Sequence, residues 1–460
     1  MANSEYRTTP QQIDTMPPGI PYIIGNEAAE RYSYYGMRSI LYLYMTEHLL
    51  NASGAAAHMD PDTATMWQHR FGFGVYFFPI LGALLADWLL GKYRTIVSLS
   101  LMYCAGHAVL ALVDHPALTG WEPRNLLIMA MIFLSLGAGG IKPCVSAHVG
   151  DQFGTKNQHL VPRVFQWFYF AINVGAAASM IITPRLLDRY GPSVAFGVPG
   201  ILMAVATFVF WLGRYKYAHI PPTGSRVFAE IASPHGRRAI ANLVPLYFFV
   251  MMFFCLFEQT QSKWVEQAKS MDRTIFGEDF NPAEFQAVNS IFVLIMIPIF
   301  SVVLYPAMGR FFEVTPLRKI GIGLFVTAAS FVVPALIQAR IDGGGQPFIG
   351  WQILAYVILT AAEVMVSITA LEFSYTQAPR TLKSVVMGIF LLAIAIGNLL
   401  TAEVNGMIKQ LEAAGYSFLT GANYYWTFTL AMLLTACIFV VWSQFYRGET
   451  FIQGDEAAAH

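Results

Sequence analysis

Apolar residues recur along this chain in runs long enough to cross a lipid bilayer as helices, and polar connectors separate the runs. A membrane-spanning helix needs about 20 predominantly apolar residues. Twelve stretches meet this requirement, with predicted bounds 20–50, 66–90, 94–113, 124–148, 163–184, 193–214, 240–268, 284–312, 318–340, 350–376, 384–409 and 424–446. The pattern therefore predicts an all-α polytopic membrane protein with about 12 transmembrane helices.

The amino-acid composition supports a membrane location for these runs. Of the 460 residues, 56% are hydrophobic and 12% are charged, whereas a soluble domain usually carries about 25% charged residues. Lys and Arg together number 28, as do Asp and Glu, so the net charge indicates no nucleic-acid partner. The four cysteines, at 104, 144, 255 and 437, lack metal-ligand spacing, so we expect no disulfide framework and no metal site.

Basic residues in the connectors predict how the helices are oriented. Connectors that follow even-numbered spans carry Lys or Arg, for example Lys92 and Arg94, whereas the first connector after an odd-numbered span, 51–65, has neither. Because cytoplasmic loops carry the excess of Lys and Arg, both termini are expected in the cytoplasm. The polar first twenty residues lack the apolar core of a cleavable signal peptide, so the first membrane helix is expected to direct insertion.

The longest basic connector divides the chain near its middle. Residues 215–239 contain three prolines and two glycines. We predict a cytoplasmic linker here, between an N-terminal six-helix bundle at 20–214 and a C-terminal six-helix bundle at 240–446. Cytoplasmic tails at 1–19 and 447–460 flank the bundles. Two such bundles can rock around a shared cavity, and the alternative is an ordinary loop within one rigid bundle.

The first predicted span carries more charge than a lipid-facing helix tolerates. Glu27, Arg31, Tyr34 and Arg38 are spaced by four, three and four residues, so they share one helix face. Glu30 and Tyr35 flank that face. A charge at bilayer depth costs at least about 2.5–3.5 kcal/mol, so these groups should face one another, other helices or water. The alternative, a soluble amphipathic helix with a salt-bridged face, fits the rest of the chain poorly.

Other polar side chains also fall inside predicted spans. They are His69, Tyr76, Lys142, Tyr169 and Asn173 in the first half, and Glu258, Asn289 and Glu363 in the second. Lys142 lies beside helix-breaking Gly and Pro residues and needs a partner, for which Glu27 and Glu30 are candidates; the alternative is that it snorkels to the interface. Glu363 has no cation nearby in sequence, which favours a functional role.

Together these residues predict two walls of opposite charge. Arg31, Arg38 and Lys142 supply cations from the first half, and Glu258 and Glu363 supply anions from the second. Aromatic side chains accompany them at Tyr34, Tyr35, Tyr76, Tyr169, Phe253 and Phe254. A cavity between such walls suits a small zwitterion and tolerates varied side chains.

Motifs along most of the chain resemble the proton-coupled oligopeptide transporter family of the major facilitator superfamily. They occur in order and comprise Glu27-x-x-Glu30-Arg31-x-x-Tyr34-Tyr35-Gly36, Asp87 with Gly91-Lys92, Gly139 to Pro143 continuing to Asp151-Gln152-Phe153, Phe168-Tyr169 with Asn173 and Gly175, and Glu363 to Met387. The resemblance implies the major facilitator fold, with two six-helix bundles.

The resemblance also implies how protons are coupled. Glu27, Glu30 and Arg31 would form the proton-linked cluster together with Lys142. His69 matches a histidine that animal and some bacterial members use in proton coupling, and Glu363 is the remaining candidate proton site. Protons would be the coupling ion, and no other cofactor is expected.

By the same resemblance, the substrate would be held at both of its charged ends. Arg38 and Lys142 would bind its carboxylate, and Asn173, Asn289 and Glu363 its amino end. Tyr34, Tyr35, Tyr76, Tyr169 and Phe254 would line its side-chain pockets, although many members have Trp where this chain has Phe254. Arg38 and Glu258 would form an extracellular gate pair.

The resulting expectation is a monomeric symporter in the plasma or inner membrane, which imports di- and tripeptides with protons by alternating access. A symporter of nitrate or a drug-like anion on the same fold is the alternative, because plant relatives carry such solutes. A membrane-embedded enzyme or a nutrient sensor is a third hypothesis. No nucleophile–base pair or phosphate loop in the sequence favours catalysis.

Overall fold

The computed structural model describes residues 6–222, 224–377 and 383–446. Within its helices, the side chains at 158, 162, 165, 166, 169, 226, 227, 230, 235, 375, 376, 383 and 384 lie outside the description. The predicted tail at 447–460 and the first five residues of the other tail also lie outside it. The statements that follow concern the described part of the chain.

Almost all regular structure in the described residues is helical. The helices are α1 Ile20–Leu43, α2 Pro61–Leu85, α3 Lys92–Leu112, α4 Pro116–Thr119, α5 Pro123–Gly150, α6 Val161–Tyr190, α7 Pro192–Leu212, α8 Arg226–Ala232, α9 Pro234–Phe257, α10 Lys263–Lys269, α11 Ala287–Ile299, α12 Tyr305–Met308, α13 Pro316–Asp342, α14 Gly350–Glu363, α15 Thr369–Thr376, α16 Lys383–Ala413 and α17 Ala422–Phe445. A two-stranded antiparallel hairpin pairs β1 Thr274–Ile275 with β2 Glu278–Asp279.

Five-residue π-helical turns continue four of these helices. They are Tyr44–His48 after α1, Ala86–Leu90 after α2, Phe300–Leu304 after α11 and Val364–Ile368 after α14. The last of them directly follows Glu363. Such turns occur frequently at functional sites, since they change the direction of side chains within a helix.

Proline and glycine mark many helix boundaries. α2, α5, α7, α9 and α13 all begin at Pro, which is favoured at the first position because its fixed φ suits the helix and its missing N–H leaves no donor unpaired. Gly191, at φ 81°, separates the end of α6 from Pro192 at the start of α7. This left-handed conformation suits Gly and allows a turn of one residue between two long helices.

Eleven helical segments in the described residues are long and apolar enough to span a membrane. α1, with its π-helical continuation, has the length of a span, but it carries Glu27, Glu30, Arg31 and Arg38. The predicted fold class of a polytopic helical protein is therefore confirmed. The structure adds the short elements α8 and α10 and the β-hairpin, which the apolar pattern did not predict.

The chain divides into two compact units. Unit 1 comprises Met1–Asp60 and Gly74–Val227, and unit 2 comprises Pro61–Phe73 and Phe228–His460. The division at Val227 falls within the predicted linker at 215–239. Helix α2 contributes its first residues, Pro61–Phe73, to unit 2 and its remainder to unit 1.

Each unit has its own helix packing. In unit 1, α1 packs against α6 and α7, and α3 packs against α5 and α7. In unit 2, α13 packs against α14 and α17, and α9 packs against α16. Many large apolar side chains on these helices are exposed, such as Leu101, Phe208 and Leu336. Such exposure is expected of helices that face lipid.

Candidate functional site

The charged face of α1 forms a compact ion cluster in unit 1. Arg31 Nε lies 2.7 Å from Glu27 Oε1 and 2.8 Å from Glu30 Oε2. Glu27, Glu30 and Arg31 are all buried, and Glu30 has no exposed surface. Two carboxylates thus share one guanidinium, which leaves one excess negative charge in an apolar interior. Three members of the proton-linked cluster predicted from the sequence thus meet on one helix, while the fourth, Lys142, lies on α5 and interacts electrostatically with Glu30. The role of the cluster remains a prediction.

Two cations of unit 1 meet two tyrosine rings. Arg38 Nη1 donates a hydrogen bond to the Tyr34 hydroxyl at 2.9 Å. The Lys142 ammonium lies 4.1 Å from the centre of the Tyr34 ring and 4.6 Å from that of Tyr76. The Arg38 guanidinium lies 5.7 and 6.0 Å from the same two rings. Helices α1, α2 and α5 therefore bring two cations to one aromatic surface.

The other predicted aromatic and amide residues of unit 1 lie near this surface or along α6. The Tyr35 ring meets the Tyr34 ring edge-on, with 5.0 Å between their centres. Asn173 is part of α6 and is half-buried. Tyr169 belongs to the same helix by its backbone, and its side chain lies outside the described residues.

Unit 2 holds the predicted carboxylate Glu363 in a hydrogen-bonded group. Asn289 Nδ2 on α11 donates to Glu363 Oε2 at 2.8 Å and to Thr360 Oγ1 at 3.1 Å. Thr360 lies one turn before Glu363 on α14, and its hydroxyl donates to the Tyr356 carbonyl. The amide thus orients the carboxylate. Sequence analysis placed Asn289 and Glu363 together but did not predict Thr360.

Helix α9 of unit 2 ends in a short 3₁₀ turn, Glu258–Gln261, which is buried. Phe254 is also buried, and its ring contacts Phe253 at 5.0 Å and Phe390 at 6.4 Å between centres.

Arg38 belongs to unit 1 and Glu258 to unit 2. The predicted gate between them stays a prediction.

The hydrogen bonds of His69 assign its tautomer. His69 is fully buried, its Nδ1 lies 3.0 Å from Asn398 Oδ1, and its Nε2 lies 3.0 Å from Ser262 Oγ. Asn398 Nδ2 donates to the Ile394 carbonyl, so its Oδ1 faces the ring and accepts from Nδ1–H. In the neutral ring Nε2 then accepts from Ser262. Protonating His69 requires this hydroxyl to turn its hydrogen away.

Unit 2 also contains an ion triad of Lys263, Asp62 and Glu266, which the sequence analysis did not predict. Lys263 Nζ lies 2.5 Å from Asp62 Oδ1 and 3.0 Å from Glu266 Oε2, with the Tyr424 ring centre at 5.2 Å. Asp62 comes from the first residues of α2, so the triad joins parts of the chain 201 residues apart in sequence. The only signal in the sequence was a lysine near the end of an apolar span.

Among the described residues, no group of three or more His, Cys, Asp or Glu side chains could hold a metal ion.

The described helices define a multi-pass helical membrane protein with the major facilitator fold. A family model described as the POT family matches residues 93–234 and 226–427. The chain belongs to this family, as its motifs indicated.

Curated relatives agree with this membership. Peptide transporter family 1 of Drosophila melanogaster is 34% identical over 366 residues, which cover 71% of this chain and 48% of the relative. Solute carrier family 15 member 1 of Homo sapiens is 36% identical over 380 residues, which cover 71% of this chain and 52% of the relative. The chain thus spans about half the length of the curated relatives it matches.

Solved structures match the chain over nearly their whole length. The crystal structure of an auto inhibited POT family peptide transporter is 33% identical, with a TM-score of 0.84, and the match covers 94% of this chain and 98% of that one. The crystal structure of a proton dependent oligopeptide (POT) family transporter is 35% identical, with a TM-score of 0.77, and covers 91% and 100%.

Proposed function

We propose that this protein is a proton-coupled symporter that imports di- and tripeptides by alternating access. Relatives and structural neighbours named as peptide transporters support this substrate class. We also propose that it works as a monomer in the plasma or inner membrane with both termini in the cytoplasm. The coupling ion is the proton, no other cofactor takes part, and the protein transports its substrate without chemical conversion.

The observation that carries the proposal is the pair of cations, Arg38 and Lys142, over the rings of Tyr34 and Tyr76. A carboxylate accepts strong, charge-assisted hydrogen bonds from such groups. The tyrosine rings attract the cations by about 0.5–2 kcal/mol each and hold them in place before a substrate arrives. This surface suits the carboxyl end of a peptide.

The group in unit 2 suits the opposite end. Glu363 accepts a hydrogen bond from Asn289, which also donates to Thr360. A carboxylate oriented in this way binds an ammonium group well. A purely anionic solute gains nothing from this carboxylate. Glu363 therefore favours a zwitterionic peptide over nitrate or a drug-like anion.

The Glu27–Glu30–Arg31 cluster supports proton coupling. One proton cancels its excess negative charge and weakens the hold of the carboxylates on Arg31. Such a change in ion pairing biases the protein between its conformations. Each proton contributes about 1.4 kcal/mol per pH unit and about 2.3 kcal/mol per 100 mV of membrane potential.

The test is uptake of labelled dialanine into proteoliposomes with an acidic exterior. We expect accumulation that an uncoupler abolishes, and Glu27→Gln should lose driven uptake but keep exchange of labelled for unlabelled peptide. Uptake that an uncoupler leaves unchanged would disprove proton coupling.

Competition separates the two substrate classes. Unlabelled dialanine should inhibit the uptake of labelled dialanine strongly. N-acetylated dialanine, dialanine amide and nitrate should inhibit it weakly. In Glu363→Gln, dialanine and its acetylated form should differ less in how strongly they inhibit uptake. The exposed Glu278→Gln is the matched control. Strong competition by nitrate together with weak competition by dialanine would favour the anion symporter.

A further inference from the structure

A serine next to the ion cluster links α1 to two other helices of unit 1. Ser33 lies three residues after Glu30, so both side chains occupy neighbouring positions on α1. Its hydroxyl donates to the Pro199 carbonyl on α7 at 2.9 Å and lies 2.8 Å from His107 Nε2 on α3. Ser33 and Glu30 have no exposed surface, and His107 is 1% exposed.

This geometry assigns the tautomer of His107. A hydroxyl has a single hydrogen, and a carbonyl oxygen only accepts, so the hydrogen of Ser33 lies between Oγ and the Pro199 oxygen. Nε2 of His107 must then carry a hydrogen and donate it to Ser33. By hydrogen-bond distance and angle, Nδ1 has no partner among the described residues, although the imidazole also interacts with the backbone carbonyl of Phe196. The neutral imidazole therefore acts as a donor.

The surroundings of His107 allow the three helices to approach closely. A β-carbon built on Gly200 of α7 would lie 2.8 Å from the β-carbon of His107. The Tyr103 ring packs edge-on against the imidazole, with 4.8 Å between centres. Tyr103 also interacts electrostatically with Glu30 and Arg31. The polar groups around His107 thus lead directly to the ion cluster.

We propose that His107 is a positioning residue for proton coupling. Its neutral Nε2–H holds Ser33, and Ser33 fixes the turn of α1 that presents Glu30 to Arg31 and Glu27. The inference rests on the proposed function, since proton coupling is what the cluster would perform. His107 holds the cluster in place through a hydrogen bond and takes up no proton itself.

Two substitutions separate the hydrogen bond from the imidazole. His107→Leu removes the donor, and we expect proton-driven uptake to fall at least tenfold while peptide exchange changes less than threefold. His107→Gln keeps an N–H donor but cannot titrate, so it should restore driven uptake to within threefold of the wild type. Its pH profile should match that of the wild type. Ser33→Ala should behave as His107→Leu does.

The matched control is the exposed pair of His115 and Ser193, whose Nε2 and Oγ atoms lie 3.1 Å apart. His115→Gln should leave both uptake modes unchanged. Unaltered driven uptake in His107→Leu would overturn the proposal. A displaced pH profile in a stably folded His107→Gln would overturn it as well, because the imidazole itself would then titrate.

A second readout does not depend on transport. Nitrogen NMR of protein labelled at histidine should show an Nε2–H tautomer whose signal disappears in His107→Gln. An Nδ1–H signal that disappears in His107→Gln would overturn the assignment. If the tautomer is confirmed but the wild-type protein shows no proton-driven uptake, the proposed function fails and the hydrogen-bond assignment stands.

Discussion

Gly82 of α2 and Gly140 of α5 bring the backbones of their helices into direct contact. A β-carbon built on Gly82 would lie 2.5 Å from both Cα and the carbonyl oxygen of Gly140. Such close approach is typical of small residues where membrane helices cross. Tyr76 and Lys142 lie on these same two helices, and the ammonium of Lys142 is 4.6 Å from the Tyr76 ring centre. The glycine crossing therefore helps to place the cation on the ring.

Gly82→Ala should destabilise this crossing. The added methyl group overlaps backbone that cannot move aside cheaply, and overpacking of this kind costs about 1–3 kcal/mol. We expect a lower thermal unfolding temperature in detergent, measured by fluorescence. Gly25→Ala on α1 is the control, because its β-carbon would meet nothing within 4 Å. Equal melting temperatures for the two variants would show that the crossing tolerates a side chain.

The Lys263 triad should contribute more stability than an exposed ion pair. Lys263 is buried, and Lys263→Met leaves the half-buried Asp62 and Glu266 side by side without their cation. Removing one partner of a fully buried pair costs about 3–5 kcal/mol, so this partly exposed triad should lose less than that but more than an exposed pair. The Arg70–Glu403 pair has side-chain exposures of 40% and 59%, so Arg70→Gln should cost about 0–1 kcal/mol. Thermal unfolding of both variants measures the difference.

A double variant tests the charge argument further. Adding Asp62→Asn to Lys263→Met removes one of the two uncompensated carboxylates, so the double variant should lose less stability than the sum of the single ones. Strictly additive losses would mean that the groups act independently despite their 2.5 Å contact.

Tyr34 should serve Arg38 and Lys142 through different atoms. Tyr34→Phe removes the hydroxyl that accepts from Arg38 but keeps the ring beneath Lys142. We expect dialanine affinity to fall about three- to tenfold, since 1.4 kcal/mol corresponds to tenfold. Tyr34→Leu loses both contacts and should weaken binding further, while exposed Tyr190→Phe should not. Inhibition constants for dialanine from competition assays provide the measurement. Equal constants for Tyr34→Phe and Tyr34→Leu would exclude a role of the Tyr34 ring in binding.

His219, outside the membrane-spanning helices, should make stability depend on pH. Burial lowers the pKa of His219, and Arg94 and Arg7 lower it further, while its hydrogen bond to the Arg214 carbonyl raises it. The unfolded imidazole titrates near pH 6.5. Between that pH and the lower folded pKa the unfolded chain binds more protons, so stability rises with pH. Acidification therefore destabilises the fold around His219.

His219→Phe should remove this dependence while it keeps the stacking on Tyr6, whose ring centre lies 4.2 Å away. Thermal unfolding at pH 7.5 and pH 5.5 provides the measurement. We expect the difference between the two melting temperatures to shrink by on the order of 1–2 °C. Exposed His58→Phe is the control. An unchanged difference in His219→Phe would show that this histidine does not drive the acid sensitivity.

Local spacing sufficed for features that lie within one helix. The lengths of the apolar runs predicted the spanning helices, because a bilayer fixes the length that a helix needs. The spacing of Glu27 and Arg31 predicted their contact, because side chains four residues apart on a helix are neighbours. The family resemblance assigned Asn289 and Glu363 to one group, although these residues lie on different helices.

The sequence by itself thus determined the class of the protein, its membrane-spanning helices and the charged face of α1. Only the tertiary structure decided that Lys142 lies over Tyr34 and Tyr76, that Ser33 meets His107, and that Asp62 pairs with Lys263. The physical reason is that helical periodicity specifies which side chains share a face. Which helix that face meets depends on glycine crossings and packing between segments far apart in the chain.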